Sequence, residues 1–195
     1  MLKFTCCPNF SVFSFIFYIT VIDIIIYLVT VIISMASSSY SLNSSQFLGP
    51  DIKLLKSFGA QVPSDIRYQG QVYRLILPVF LHAGFLHIFS NMVSQMILGF
   101  MLESLLGQVR VASIYFASGI GGNIFSALCN PGKDSSVGAS TALFGFVGTL
   151  IAVVVVNWKA FDRSPELRCF MIIMITFILL FSLISILGDT SDTQS

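Results

Sequence analysis

The chain has 195 residues, of which 55% are hydrophobic and only 10% are charged, and its formal net charge is +1. Soluble proteins carry about 25% charged residues, so these few charges exclude a water-soluble domain of this size. The near-neutral charge gives no indication of a nucleic-acid partner, and the four cysteines lack the spacing of a metal site or a disulfide framework. The long apolar runs instead predict an all-α, polytopic transmembrane protein.

Five apolar segments approach or exceed the length of about 20 residues that a helix needs to cross a bilayer. The first, 10–35, follows a short cytosolic tip (1–9) and has no cleavage motif after it, so we expect a retained span rather than a signal peptide. A loop (36–74) leads to a helical core of four spans (75–187) and a polar tail (188–195). The core spans are expected at Leu75–Leu102, Val111–Cys129, Ser135–Asn157 and Cys169–Leu187.

Polar residues in the first span and in the loop are informative. Asp23 lies near the middle of the first span, where an unpaired carboxylate is costly, and the sequence indicates no partner for it. In the loop, Asp51–Phe58 (DIKLLKSF) alternates charged and apolar residues at helical spacing, which predicts a short helix on the membrane surface. The charges divide evenly between the two sides of the membrane and do not determine the topology. Glycosylation of the sequon Asn43-Ser44-Ser45 would place this loop in the lumen.

Histidine and asparagine side chains mark the start of the second span. His87 and Asn91 are four residues apart, so they project from one face of a helix. His82 precedes His87 by five residues, about 140° around a regular helix, and faces elsewhere. Hydrogen bonds between helices would be an ordinary role for such residues. A metal site would need more ligands than these two histidines supply.

The fourth span opens with Gly138-Ala139-Ser140, in a run of small residues that would let helices pack closely. A reactive Ser140 would need a base to take its proton and donors for the oxyanion that forms on attack. We also expect the third span to pack against the second and fourth through its small and polar residues Gly119, Gly121, Gly122 and Asn123.

A set of motifs follows in order along the chain after residue 50. They are Leu54–Ala60 (LLKSFGA), Tyr73–Leu75 (YRL), Phe80–His87 (FLHAGFLH), Asn91-Met92, Glu103, Gly107 and Gly138–Ser140 (GAS). Together they resemble the rhomboid family of intramembrane serine proteases. Each motif is weak alone, whereas the ordered set with its spacing is highly specific. The resemblance covers most of the chain after residue 50.

The resemblance implies a bundle of six spans, of which this chain holds about five. It also implies a protease that cleaves single-span transmembrane proteins within or beside the lipid bilayer and uses no cofactor. By the same resemblance Ser140 is the nucleophile, and His87 and Asn91 donate to the oxyanion together with the Ser140 N–H. Gly138 shapes the turn before the serine. The remaining motif positions would be structural: Tyr73 (where the family usually has tryptophan), Arg74, His82, Glu103 at a helix end, and Gly107.

One departure from the family pattern concerns the general base. A rhomboid activates its serine with a histidine from the last core helix, but this chain has no histidine after His87. In serine proteases, losing one catalytic partner lowers turnover on the order of a million-fold. We therefore expect a C-terminally truncated form of the protease whose 195 residues are inactive alone.

Two alternatives remain open from the sequence. The chain would also fit a non-catalytic rhomboid-like protein that binds transmembrane helices, although such a protein has no chemical need for Ser140. An unrelated five-span transporter or channel would normally show several charged residues along its pathway, and apart from Asp23 these are missing from the spans. In both rhomboid-like hypotheses the protein is an integral multi-pass membrane protein, expected in the secretory pathway or the plasma membrane.

Overall fold

A computed structural model describes residues 13–37, 47–132, 135–159, 162, 164–166, 168–173 and 175–176. Four of the expectations fall outside these residues: the cytosolic tip, the sequon at Asn43, the polar tail and the greater part of the fifth span. The chain divides into two compact units between Phe146 and Val147.

Helices dominate both units. They are α1 (Phe15–Ala36), α2 (Ile52–Ser57), α3 (Pro63–Gln69), α4 (Phe85–Leu106), α5 (Gln108–Cys129) and α6 (Ser140–Val156). By length and composition α1, α4 and α5 could each cross a membrane. Each has 22 residues, about 33 Å at 1.5 Å per residue, and the hydrocarbon core of a bilayer is about 30 Å thick. The prediction of a helical membrane bundle is confirmed.

The loop between α1 and α4 is itself folded into short helices. Asp51 caps α2, since its Oδ1 accepts hydrogen bonds from the backbone N–H of Lys53 at 2.6 Å and of Leu54 at 3.4 Å. This helix forms where the pattern DIKLLKSF predicted one. Two 3-10 turns, Val72–Leu75 and Leu77–Phe80, follow α3 and lead into α4.

Helix α4 begins at Phe85, although the apolar run that predicted it begins at Leu75. Pro78 has no amide hydrogen to donate and lies in the second 3-10 turn, which ends at Phe80. Gly84 is fully extended and starts the helix anew. As a result His82 lies in the irregular segment before α4, whereas His87 lies in the first turn of the helix.

The core of the first unit forms where α1 packs against α4 and α5. A Cβ atom at Gly99 of α4 would overlap the side chain of Ile16 of α1, so the two backbones approach closely only because this residue is glycine. A cluster of buried apolar side chains adds to the same interface: Tyr27, Val31, Ile88 and Met92.

The second unit contains the C-terminal part of α6 and a polar segment after it. The Arg168 guanidinium lies 4.6 Å from the centre of the Trp158 ring and donates to Asp162 Oδ1 at 2.8 Å. Both partners of this ion pair are exposed to solvent to some degree. Such pairs contribute little to stability, and we assign this one no functional role.

Candidate active site

The turn before Ser140 is fixed by hydrogen bonds to the loop between α1 and α4. Ser136 pairs with Gln61 in an isolated antiparallel bridge with two N–H···O bonds of 2.9 Å. The Gly138 N–H donates to Pro78 O at 2.8 Å. Gly138 has φ = +131°, a conformation that costs side-chain-bearing residues backbone strain. The turn therefore presents Ser140 as the first residue of α6.

The first turn of α6 leaves backbone donors available near Ser140. The first intrahelical bonds run from the N–H groups of Ala142 and Leu143 to Ala139 O, at 2.9 and 3.0 Å. The N–H groups of Ser140 and Thr141 precede these bonds, so the helix itself provides no acceptor for them. They also lie at the positive end of the helix dipole. Developing negative charge beside Ser140 would be stabilised there.

The His87 ring and the Ser140 hydroxyl both lie close to Gly138. A Cβ atom on Gly138 would be 2.8 Å from both Cε1 and Nε2 of His87, and 3.7 Å from Ser140 Oγ. The other ring nitrogen, Nδ1, accepts a hydrogen bond from the Ala83 N–H at 3.3 Å. In a neutral imidazole the hydrogen is then on Nε2. The edge of His87 that faces Gly138 is therefore a hydrogen-bond donor.

The side chain of Asn91 forms a hydrogen bond with the backbone of its own helix, α4. Its Nδ2 donates to His87 O at 2.9 Å, one turn earlier in α4. The side chain shares the side of α4 with His87, as the spacing predicted, and its second Nδ2 hydrogen is not used by this bond. Asn91 also supports the backbone of His87 through this bond, a contact that the spacing alone did not indicate.

His82 is a buried neighbour of His87. Its side chain is 1% exposed, and the two rings meet edge to face with their centroids 5.4 Å apart. Burial and the neighbouring His87 ring lower the pKa of His82 to about 3. His82 is therefore neutral at physiological pH and packs behind His87.

Arg74 connects separate parts of the loop before α4. Its Nη1 donates to the backbone oxygens of Lys56 and Ala60, both at 2.8 Å, and its Nη2 lies 3.5 Å from Asp65 Oδ2. The ring of Tyr73 lies beneath the guanidinium at 5.3 Å. These contacts give Arg74 a place in the loop scaffold, which in turn holds Gln61 and Pro78 against the turn of Gly138.

Glu103 and Gly107 lie at the opposite end of α4 from His87. Glu103 Oε1 accepts a hydrogen bond from the Ile16 N–H at 2.9 Å, so the carboxylate occupies the N-terminus of α1. Gly107 has φ = +83° and joins α4 directly to α5. Glu103 therefore links α4 to the start of α1, and Gly107 forms the connection from α4 to α5.

Small residues bring α5 close to the active-site turn. A Cβ atom on Gly119 would lie 3.0 Å from Val79 and 3.5 Å from Ala142, and one on Gly122 would lie 2.8 Å from the Thr141 Cβ. A Cβ atom on Gly121, in contrast, would meet nothing within 4 Å among the described residues outside its own helix backbone, so the expected close packing does not extend to it. Asn123 Nδ2 donates to Leu75 O at 2.9 Å, which joins α5 to the loop.

Sequence analysis missed Gln61 and Ser118. Gln61 is almost fully buried, and its Nε2 donates to Asn123 O at 2.5 Å while its backbone pairs with Ser136. Ser118 Oγ lies in the space that a side chain at Gly145 would occupy. A lone polar residue in a loop and a serine in an apolar helix carry no local signal, because their partners are distant in the sequence. Among the described residues no group of three or more His, Cys, Asp or Glu could hold a metal ion.

Comparison of the sequence with known proteins shows which family it is similar to. The family profile described as "Rhomboid domain" covers residues 69–192. Rhomboid-like protease 1 of Toxoplasma gondii is 39% identical over 177 residues, which are 91% of this chain and 56% of that protein. RHOMBOID-like protein 5 of Arabidopsis thaliana is 37% identical over 124 residues, 63% of this chain and 40% of that protein. Inactive RHOMBOID-like protein 8 of the same plant is 29% identical over 127 residues, 65% of this chain and 36% of that protein.

The matches cover most of this chain but only part of each relative. The chain spans about half the length, or less, of the relatives it matches. The profile, however, covers most of the chain, including α4, α5, the Gly138 turn and Ser140. The three described helices that are long and apolar enough to cross a membrane, α1, α4 and α5, agree with a helical membrane bundle of this family. The chain is therefore an integral membrane protein that belongs to the rhomboid family.

Proposed function

We propose that this chain is the nucleophile-bearing part of an intramembrane serine protease that cleaves single-span membrane proteins within or beside the bilayer. One observation carries the proposal. A Cβ atom placed on Gly138 would lie within 4 Å of both the donor edge of His87 and Ser140 Oγ, so a peptide carbonyl that Ser140 attacks would meet a hydrogen-bond donor nearby. Packing between helices does not require this juxtaposition, whereas acyl transfer does.

Each residue of the site has a separate part in the proposed reaction. Ser140 Oγ attacks the carbonyl carbon of the scissile peptide bond, and the carbonyl oxygen becomes negatively charged. His87 Nε2–H and the Ser140 N–H donate to this oxyanion, with Asn91 Nδ2 as a further donor. Removing a single donor of this kind typically slows an enzyme by about 100- to 1000-fold. Gly138 lets the His87 ring approach the turn before Ser140, because it has no side chain.

The proton of Ser140 Oγ must pass to a base and then to the leaving amine. His87 is poorly suited to this task, because its Nε2 carries the hydrogen that binds the oxyanion. His82 is buried behind His87, and its pKa of about 3 makes it a weak base. We propose that the base is a histidine on a chain segment outside these 195 residues. Water would then hydrolyse the acyl-enzyme with the same base.

Replacement of the nucleophile tests the proposal in a form of the protein that contains the additional segment. We expect Ser140→Ala to lower cleavage of a model transmembrane substrate on the order of a million-fold. Ser113→Ala is the matched control, because Ser113 is exposed on α5 and its hydroxyl donates to Val109 O of its own helix. Cleavage by Ser140→Ala at the rate of the control would remove Ser140 from the mechanism.

A non-catalytic function is the second candidate, and the similarity to Inactive RHOMBOID-like protein 8 favours it. In that case the bundle would bind transmembrane helices without cutting them. The same experiment separates the two functions. Co-purification of an intact single-span partner with both the wild-type protein and Ser140→Ala, with no cleavage by either, would establish the binder.

A further inference from the structure

Asp23, for which the sequence indicated no partner, is paired with Gln95. The carboxyl group lies in the middle of α1 and is completely buried. Gln95 of α4 donates through Nε2 to Asp23 Oδ2 at 3.2 Å and to Thr20 Oγ1 at 3.0 Å. A polar contact therefore joins two membrane-length helices at a depth where unpaired polar groups are costly.

Two oxygen atoms of this pair lack a partner in the part of the chain that the structure describes. They are Asp23 Oδ1 and Gln95 Oε1, and both are buried. Both are acceptors when Asp23 is ionised, so neither can satisfy the other. One hydrogen on Asp23 Oδ1 removes the conflict, because it would be donated to Gln95 Oε1. The acid and the amide would then form a ring closed by two hydrogen bonds.

The two helices that form the pair carry no cation that would favour an ionised Asp23. Tyr115 of α5 is a buried neighbour of Asp23, and its hydroxyl makes no hydrogen bond in the part of the chain that the structure describes. Neither α1 nor α4 contains lysine or arginine. Arg110, the one arginine of α5, is exposed and donates to Leu106 O at 3.3 Å. A buried carboxylate without such a partner tends to take up a proton.

We propose that Asp23 is a neutral carboxylic acid that forms a two-bond pair with Gln95, and that this pair positions His87 and Asn91. The second part follows from the order of residues along α4. His87, Asn91 and Gln95 succeed one another at four-residue steps on one side of the helix, and Asn91 Nδ2 holds His87 O. A rotation of α4 that broke the Gln95 pair would also move the donor edge of His87. Asp23 is thus a positioning residue.

Asparagine is the decisive substitution at this site. In Asp23→Asn an amide N–H replaces the acid O–H, so both hydrogen bonds of a neutral pair are retained. Asp23→Leu and Gln95→Leu each remove the pair and leave a buried polar group unsatisfied. Thr30→Val is the control, because Thr30 is also buried on α1 but its hydroxyl donates to Tyr27 O of the same helix.

Infrared spectroscopy and thermal unfolding of the 195-residue chain in lipid test the pair directly. We expect a carboxylic-acid C=O band at neutral pH that is lost in Asp23→Asn and shifted in Gln95→Leu. We also expect Asp23→Asn to unfold within about 2 °C of the wild type, and the two leucine variants to unfold several degrees lower than Thr30→Val. Absence of the band, or equal destabilisation by Asp23→Asn and Asp23→Leu, would overturn the neutral pair.

The positioning role rests on the proposed function and is tested separately, in a form that contains the additional segment. We expect a fluorophosphonate to label Ser140 in Asp23→Asn at the wild-type rate and in Asp23→Leu at least tenfold more slowly. Equal labelling of Asp23→Leu and Thr30→Val would overturn the positioning role. If the wild type itself is not labelled, the proposed protease function and the positioning role both fail, whereas the infrared band still decides the neutral pair.

Discussion

At the scale of single residues, the site depends on a position without a side chain. A Cβ atom on Gly138 would lie within 4 Å of both the His87 ring and Ser140 Oγ, and the φ of +131° at this position is costly for residues other than glycine. The two constraints are independent, since one is steric and the other concerns the backbone. Both act on the distance between the proposed oxyanion donor and the proposed nucleophile. A change at Gly138 should therefore affect chemistry more than it affects the stability of the fold.

Gly138→Ala tests this conclusion. The added methyl group would lie 2.8 Å from His87 Cε1 and Nε2, so the ring must shift, and the proposed Nε2 donor shifts with it. In a form that contains the additional segment, we expect cleavage of a transmembrane substrate to fall by about 100-fold, the typical cost of a displacement of about 1 Å. Gly121→Ala is the control, because that position is free of neighbours and has an ordinary helical backbone. If Gly138→Ala cleaves the substrate at the wild-type rate, the proposed geometry is wrong.

At the scale of elements, the helices that carry the site are held by close contacts between small residues. Lipid offers apolar surface as readily as another helix does, so the spans associate through tight packing and hydrogen bonds. Gly99 brings α4 against Ile16 of α1, and Gly122 brings α5 against Thr141 at the start of α6. The polar contacts of Asp23 with Gln95 and of Glu103 with Ile16 add direction to the α1–α4 interface.

Two glycine-to-alanine substitutions, one at the α1–α4 interface and one on α5, should change the stability of the protein in opposite directions. Gly99→Ala places a methyl group on the Ile16 side chain and should destabilise the protein by about 1–3 kcal/mol. Gly121→Ala adds the same group in open space, where the better helix propensity of alanine stabilises by up to about 1 kcal/mol. Thermal unfolding in detergent measures both changes.

A compensating substitution identifies the cause of any loss at Gly99. Ile16→Ala removes the side chain that the new methyl group would meet. In a double-mutant cycle we expect Gly99→Ala to cost less in the Ile16→Ala background than in the wild type. Additive effects of the two substitutions would show that Gly99 acts in another way.

At the scale of the whole molecule, the residues proposed as oxyanion donors and as nucleophile belong to one compact unit. The first unit contains His87, Asn91, Gly138 and Ser140. The donors and the nucleophile of the proposed site therefore lie within these residues, whereas the general base is proposed to lie outside them. A substrate could bind beside the proposed nucleophile in the absence of a general base. It would not be turned over, because the serine hydroxyl is a weak nucleophile without a base.

The 195-residue chain alone should consequently not react with serine-directed probes. We expect a fluorophosphonate to leave Ser140 unlabelled in this chain after reconstitution in lipid, while a form with the additional segment is labelled. Mass spectrometry of the Ser140 peptide measures the outcome, and Ser140→Ala gives the background. Specific labelling of Ser140 in the short chain would show that some base is present within it and that the prediction of inactivity is wrong.

The sequence by itself determined the fold class and the family. Apolar runs and the scarcity of charge are properties of single segments, so they predict membrane helices without knowledge of any contact. The ordered motifs gave the rhomboid family, which the profile match confirmed. The spacing of His87 and Asn91 likewise predicted that they share a side of one helix. The catalytic roles of these residues stay predictions, since neither the geometry nor the family match tests a reaction.

Only the tertiary structure decided which distant groups meet. Asp23 and Gln95 are 72 positions apart, and Gln61 and Asn123 are 62 positions apart. Periodicity describes the direction of a side chain relative to its own helix, whereas these contacts depend on the rotation and depth at which two helices pack. The same holds for the approach of His87 and Ser140 to Gly138. Apolar segments could be read in isolation, but polar contacts required the packed bundle.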